Sequence, residues 1–325
     1  MSLPTEPAAV NPGSPPSDDS AGRPALVMLA AGMATRYGGG CKPLAPVGIR
    51  GEAVIDLNAS DAEEAGFGRI VVVLGPHSGP AIAYHIERTW PRSLDVALPE
   101  QSVPLGTAHA AMCARPHVGG SSFALINADD IYGTEALAEL CRHLERARSH
   151  ANVAYRLADT IVSDDPVTRG TCKVGPDGEL VEMVERKKVT LQEDGGFVAD
   201  DGKEPRMLDP DTPVSVNLWG FLPTIWPVLE AAVRQAHPEV RADGTLAEDP
   251  AGEQEVLLPE VVGAMVAGRT AGGGPAQAVA VLSGRGRCIG VTHSDDLPIV
   301  RGELAVLVGQ GIRPERLWSV LHPGR

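Results

Sequence analysis

Residues 25–43 read ALVMLAAGMATRYGGGCKP, an apolar run that passes directly into a loop of small residues ending in Lys-Pro. The apolar start, closed by glycine, has the character of a buried strand. The loop that follows has little side-chain bulk to keep backbone N–H groups away from an anion. Residues 53–66, AVIDLNASDAEEAG, come next with the length and spacing of a helix. A strand, a small-residue loop and a helix in that order open a βα unit, and in sheets built of such units ligands collect where the strands end.

The pattern continues downstream. RIVVVLG (69–75) reads as strand, 79–89 as helix, SLDVAL (93–98) as strand, GTAHAAMCA (106–114) as helix, SFALIN (122–127) as strand and TEALAELCRHLERARS (134–149) as helix. Such alternation predicts an α/β fold: a Rossmann-like, open, mostly parallel sheet with helices on both faces. From about residue 152 the pattern changes. ANVAYRL (151–157) is strand-like, and TCKVGPDGELVEMVER (171–186) reads as two strands about a Pro-Asp-Gly turn, a hairpin extension of the sheet. PVSVNLWGFL (213–222) is a further strand, PTIWPVLEAAVRQA (223–236) and VLLPEVVGAMVAG (256–268) are helices, and QAVAVL (277–282) and RCIGVT (287–292) are strands. The last helix, 296–311, has Ser294 or Asp295 as its expected cap. Residues 191–211 and 241–255 are acidic, rich in turn formers, and read as surface insertions or loops in a single domain spanning 24–325. Residues 1–23, rich in Pro, Ser and Gly, read as a disordered arm without the basic start and apolar run of a secretory signal.

Composition narrows the function. The 325 residues carry 28 Lys+Arg against 42 Asp+Glu, a formal charge of −14. That balance argues against a broad nucleic-acid surface, whose affinity comes from cations on backbone phosphates. A small phosphorylated ligand needs only a local basic pocket. The longest apolar stretch, near 25–34, is too short to span a bilayer, so no membrane partner is expected. Five cysteines without CxxC or metal-finger spacing suit reduced thiols and a cytoplasmic setting.

The opening loop supplies such a pocket. Leu29, Ala30, Ala31, Gly32, Met33, Ala34 and Thr35 form its backbone cradle, and Arg36 and Lys42 bring two cations to it. Together they suit a polyphosphate whose charge grows as a bond to its α-phosphorus breaks. The loop is neither G-x-x-x-x-G-K-[ST] nor G-x-G-x-x-G, which counts against a P-loop NTPase and a dinucleotide-dependent dehydrogenase. Cys41, beside Lys42, is read as a small loop residue. Asp129 and Asp130 follow the strand 122–127, where carboxylates serve either to hold a divalent cation through oxygen or to cap the helix at Thr134. Gln101 carries an amide able to donate and accept, as a pyrimidine edge requires, and Gly106 and Thr107 stand close behind it. His109 is read as part of the helix and not as a general base.

These residues resemble the nucleotidyltransferases, or pyrophosphorylases, that make nucleotide sugars. Their opening signature is L-A-A/G-G-x-G-T-R followed by Lys-Pro; here its second glycine is Ala34. Residues 101–110, QSVPLGTAHA, look like the base-recognition segment of the uridylyltransferase members, in which a Gln ahead of Leu-Gly-Thr reads the pyrimidine. NADDI (127–131) resembles the element whose Asp binds Mg²⁺, which implies Asp129 as metal ligand. Gly170, Glu185 and Asn217 are similar in order and setting to the residues that hold the sugar phosphate. The family's second metal ligand falls near Gly290 or Thr292, with Asp295 and Asp296 close by. The resemblance covers about 25–291 and implies a GT-A-like nucleotidyltransferase domain. It implies Mg²⁺-dependent transfer of a nucleoside monophosphate from an NTP, UTP favoured, to a sugar 1-phosphate, with Arg36, Lys42 and Asp129 as catalytic groups. Transfer to a non-sugar phosphate or phosphonate acceptor, or binding without turnover, are the alternatives.

Overall fold

A computed structural model describes residues 22–32, 41–146, 148–161, 165–250, 252, 254–291 and 296–318. Residues 1–21 of the expected N-terminal arm and the centre of the opening loop, Met33, Ala34, Thr35 and Arg36 included, lie outside the described residues, while Arg23, at the end of that arm, donates to the Gly66 carbonyl.

Strand β1 (Ala25–Ala30) forms where expected and is buried almost throughout. It pairs in parallel with β2 (Arg69–Leu74) on one side and with β4 (Phe123–Asn127) on the other. β3 (Val96–Ala97) extends the parallel part from β2, but only two residues of the expected strand pair. The registers Ala30↔Leu74 and Leu29↔Asn127 bring the carboxyl ends of β1, β2 and β4 level. That flush edge is the floor of the site.

Side-chain alternation along β1 decides the two layers. Ala25 and Val27 pack with Val71, Phe123 and Leu125 against α3 (Thr107–Val118), α5 (Trp226–Ala236) and α6 (Leu258–Val266). Leu26, Met28 and Ala30 face α1 (Val54–Ala65), α2 (Gly79–Thr89) and α4 (Thr134–Glu145). Burying each Leu, Ile or Phe in these layers contributes about 1.5–3 kcal/mol. The fold is therefore the expected Rossmann-like α/β sheet covered on both faces. α7 (Leu297–Gly309) packs Val300 and Leu304 on Val54 and Leu57 outside this core. Its N-cap is Asp296, one residue later than expected; Ser294 and Asp295 lie outside the described residues.

The second half is antiparallel. β11 (Pro213–Phe221) runs against β4 through Trp219–Phe221, against β7 (Val167–Val174) through Val214 and Ser215, and against β6 (His150–Arg156) along its other edge. β12 (Val279–Ser283) lies parallel to β6. β7 and β8 (Leu180–Leu191) form the expected hairpin. Residues 191–211 contain more than loop: β9 (Phe197–Ala199) and β10 (Met207–Leu208) add two short strands to the edge. Phe197, Ala199 and Leu208 bury against Val189 and Val214, an apolar set too sparse in an acidic stretch to read as strand from sequence.

The hairpin is pinned by Arg186, whose Nε donates to Asp201 at 2.8 Å while the backbone N–H groups of Lys187 and Lys203 donate to the same carboxylate. The Arg186 bond and these N–H groups hold the Asp201 carboxyl well below its ordinary range. A depressed folded pKa stabilises above the unfolded value, and that stability is lost as pH falls through the folded one. Acid should therefore weaken the hold of this bridge on 186–208, and Asp201→Asn should lower Tm by a few degrees at pH 7 but by much less at the acid end. Thermal melts of both proteins across pH 2–7 measure this.

Candidate active site

The strand ends above this floor gather the chemistry. Lys42 opens a short 3-10 turn, Lys42–Leu44, and its Nζ lies 3.9 Å from Oδ2 of Asp129, across the carboxyl edge of β1 and β4. Residues 87 positions apart in sequence thus meet where the opening loop returns. Arg36 lies outside the described residues. Cys41 stays a thiol, burial raising its pKa.

Neither Asp129 nor Asp130 caps α4, whose N-cap is Gly133. Asp130 begins a short strand, β5 (Asp130–Ile131), that pairs with β13 (Ile289–Gly290), with Gly290 opposite Asp130. Its Oδ2 accepts from Asn127 Nδ2 at 3.0 Å. Asp129 is left open: 38% of its side-chain surface is exposed. Its carboxyl is nonetheless raised to about 7, first by the surrounding protein and then by the negative charge of Asp130, with Lys42 pulling the other way. Two adjacent carboxylates that repel in this way form an oxygen donor set suited to a divalent cation, which takes one or two carboxylates and keeps waters. Among the described residues no third His, Cys, Asp or Glu joins them. Thr292 and Asp295 are not described, and Asp296 is buried at the start of α7.

Beside Asp130 a cavity of about 620 Å³ is lined by Asn127, Gly170, Glu185, Asn217 and Arg269, among others. The three residues expected to hold a sugar phosphate thus share one wall. Gly170 pairs with Glu185 on β8 and Ser215 on β11, so the three stand in a row across the strands. Asn217 follows in a bulge between Ser215 and Trp219, with φ of 62°. Its Oδ1 accepts from Trp219 Nε1 at 3.2 Å, which leaves Nδ2 as the donor. Glu185 is partly exposed and pairs with Lys187 at 3.3 Å.

Gln101 sits at the other side of the floor. Its backbone N–H donates to the carbonyl of Leu74 at the end of β2, beside Ala30. Its side chain is buried, with Nε2 donating to Gly106 O and meeting His109 Nδ1. Gly106 has φ of 95°, and a Cβ there would come within 2.5 Å of Val256 backbone. Thr107 Oγ1 accepts from Leu258 N–H at 2.8 Å, so the Leu-Gly-Thr turn is clamped by residues 256–258.

Three residues that hold the site were not singled out from the sequence. Asn58, inside α1, donates Nδ2 to the Asp130 carbonyl at 2.8 Å. Asn152, fully buried in β6, donates to Ser215 Oγ and to the Leu218 carbonyl, bracketing the Asn217 bulge. The Tyr132 hydroxyl accepts from Asn127 N–H at 3.1 Å and donates to the Val216 carbonyl at 3.0 Å. The available signal was polarity in apolar runs: an Asn in a buried strand or helix demands a partner.

A family model for the MobA-like NTP transferase domain matches residues 26–194, which span Lys42, Gln101, Asp129, Gly170 and Glu185. The chain belongs to that family. Among curated relatives of this NTP transferase domain, the bifunctional protein GlmU of Geobacter sulfurreducens is 31% identical over 173 residues, 52% of this chain and 34% of that protein. The low-salt glycan biosynthesis nucleotidyltransferase Agl11 of Haloferax volcanii is 27% identical over 164 residues, 49% of this chain and 44% of that protein. The matches thus span less than half the length of these relatives. The inositol-1-phosphate CTP transferase structure from T. maritima superposes with a TM-score of 0.56 at 12% identity, covering 86% of this chain and 96% of that one. That likeness is one of fold.

Replacing Tyr132 by Phe strands the half-buried Asn127 N–H on β4 and the buried Val216 carbonyl on β11. The variant should lose about 1–3 kcal/mol, read by urea denaturation, while Tyr84→Phe on the exposed face of α2 should lose nothing measurable.

Proposed function

We propose that the protein is a Mg²⁺-dependent nucleotidyltransferase that transfers a nucleoside monophosphate from an NTP, with UTP preferred, to a sugar 1-phosphate and releases pyrophosphate. The observation that carries this reading is the meeting of Lys42 with Asp129 at the strand edge between the opening loop and the cavity that holds Gly170, Glu185 and Asn217. A triphosphate over the opening loop and an acceptor in the cavity would face each other across this pair.

In the reaction an acceptor phosphate oxygen forms a bond to the α-phosphorus, the bond from that phosphorus to the β-phosphate oxygen breaks, and pyrophosphate leaves with the electron pair. A phosphate nucleophile needs no deprotonation, so the work lies in alignment and charge stabilisation. Lys42 supplies a fixed positive charge beside the transferred group, and Arg36, from the same loop, would serve the β- and γ-phosphates. Asp129, with Asp130 adjoining, would hold Mg²⁺. When bound, the ion draws the phosphate oxygens together and offsets their charge. Asn217 Nδ2 donates to an acceptor hydroxyl and Glu185 accepts from one, the division of labour that their hydrogen-bonding inventory allows. Gly170 leaves room for the acceptor. Gln101 reads the base, with Gly106 and Thr107 alongside it.

Incubating the protein and Mg²⁺ with each of four NTPs and a panel of sugar 1-phosphates and inositol 1-phosphate, with mass detection of products, tests the proposal. At least one pair should give a nucleoside diphosphate conjugate and stoichiometric pyrophosphate. Saturable NTP binding with no product from any pair would leave a binding protein instead. Asp129→Ala and Lys42→Ala should each lower kcat by about 100-fold or more with little change in Tm, since both side chains sit on the rim and not in the core. Activity close to wild type in Asp129→Ala would overturn the assignment.

A further inference from the structure

The amide of Gln101 is committed at one end. Nε2 is 3.0 Å from the Gly106 carbonyl and 3.1 Å from Nδ1 of His109. Which end of the amide is nitrogen follows from the partners. A carbonyl only accepts, so Gly106 requires a donor. The imidazole has its proton on Nε2, because that nitrogen lies 2.9 Å from the carbonyl of Gly244, which also only accepts. Nδ1 of the neutral ring is then a bare lone pair and requires a donor too. Burial keeps the ring neutral by lowering its pKa, against the opposing pull of the Gly244 and Val103 carbonyls. Both amide hydrogens are used, and among the described residues Oε1 receives no hydrogen bond.

The anchor of this chain of bonds comes from the stretch 241–255. Arg241 N–H donates to Thr245 O and Gly244 N–H to Arg241 O, closing a tight turn. Gly244 has φ of 80°, and a Cβ there would fall 2.6 Å from the backbone nitrogen of Cys113 on α3. Only glycine lets the turn lie close enough for its carbonyl to reach His109, itself 1% exposed.

We infer that His109, anchored on the Gly244 carbonyl, is a positioning residue that fixes the Gln101 amide with Oε1 as the atom presented to the nucleotide base, so that UTP is selected over CTP. The inference rests on the proposed role of Gln101 as the base contact and adds what orients it. Uracil carries an N–H at position 3, where cytosine has a lone pair. A free amide meets either by turning over; a fixed acceptor meets only the first and repels the second.

Steady-state kcat/KM for UTP and CTP, with calorimetric binding of the same two nucleotides in Mg²⁺, is to be measured on the full-length wild type, His109→Leu, His109→Gln and His109→Asn. Gln at this position reaches toward the Gly244 carbonyl but has no acceptor where Nδ1 stood; Asn places Oδ1 there. The UTP-to-CTP ratio should fall by about tenfold or more in His109→Leu and His109→Gln and stay within about threefold of wild type in His109→Asn. Loss of folding stability alone scales both nucleotides together and leaves the ratio unmoved. If His109→Leu fails to fold, His109→Gln decides. A ratio unchanged in His109→Gln, a ratio lost equally in His109→Asn, or a wild type that prefers CTP overturns the inference while leaving nucleotidyl transfer standing. A wild type that uses no NTP, or a Gln101→Ala variant with unaltered base preference, overturns the underlying reading instead.

Discussion

Strand β11 has to serve two neighbours along one edge, and the cavity exists because it does. Through Trp219–Phe221 it continues the parallel core by pairing with β4; through Val214 and Ser215 it pairs with β7 instead. Where it passes from one neighbour to the other, its register against β6 on the opposite edge shifts between Ser215 and Trp219. A bulge of this kind leaves backbone groups without ladder partners, which in a buried setting costs about 1–3 kcal/mol each unless they are satisfied. Asn152 takes the Leu218 carbonyl and Tyr132 takes that of Val216. With the bulge so held, Asn217 lines the same cavity as Asp130 and Gly170.

Much of this was legible in the amino-acid order because it is local. The run 25–30 declares its strand by unbroken apolarity, α2 falls on 79–89 as read, and the Pro-Asp-Gly turn marks the hairpin. Gly170, Glu185 and Asn217 lie on one cavity, and Lys42 reaches Asp129. What escaped was non-local. β9 and β10 gain their apolar partners only from Val189 and Val214, and nothing within 191–211 names them. Asn58 and Asn152 sit inside an expected helix and an expected strand, and Tyr132 between two expected segments, with nothing local to name the groups they bind. His109 belongs to its helix, as expected, but its ring is occupied by a carbonyl 135 positions away.

Two side-chain amides in the site follow one rule. Asn217 gives its oxygen to Trp219 and keeps its nitrogen; Gln101 gives its nitrogen to Gly106 and His109 and keeps its oxygen. A group that is ambidextrous in solution is made single-handed by burying half of it. One amide is thereby a donor on the cavity of Gly170 and Glu185 and the other an acceptor beside the Leu-Gly-Thr turn, with the rotational entropy of each already lost in folding.

The insertion of β11 between β4 and β6 also has a bearing on biosynthesis. The inner strands β1 and β4 are complete by residue 127, yet the outer flank of β4 stays uncapped until residue 221 has left the ribosome. A long-range closure of this sort slows folding, and an open flat edge invites pairing with other chains. The nascent polypeptide is consequently most vulnerable to aggregation over the interval in which nearly a hundred residues must be translated before the middle of its own sheet can shut.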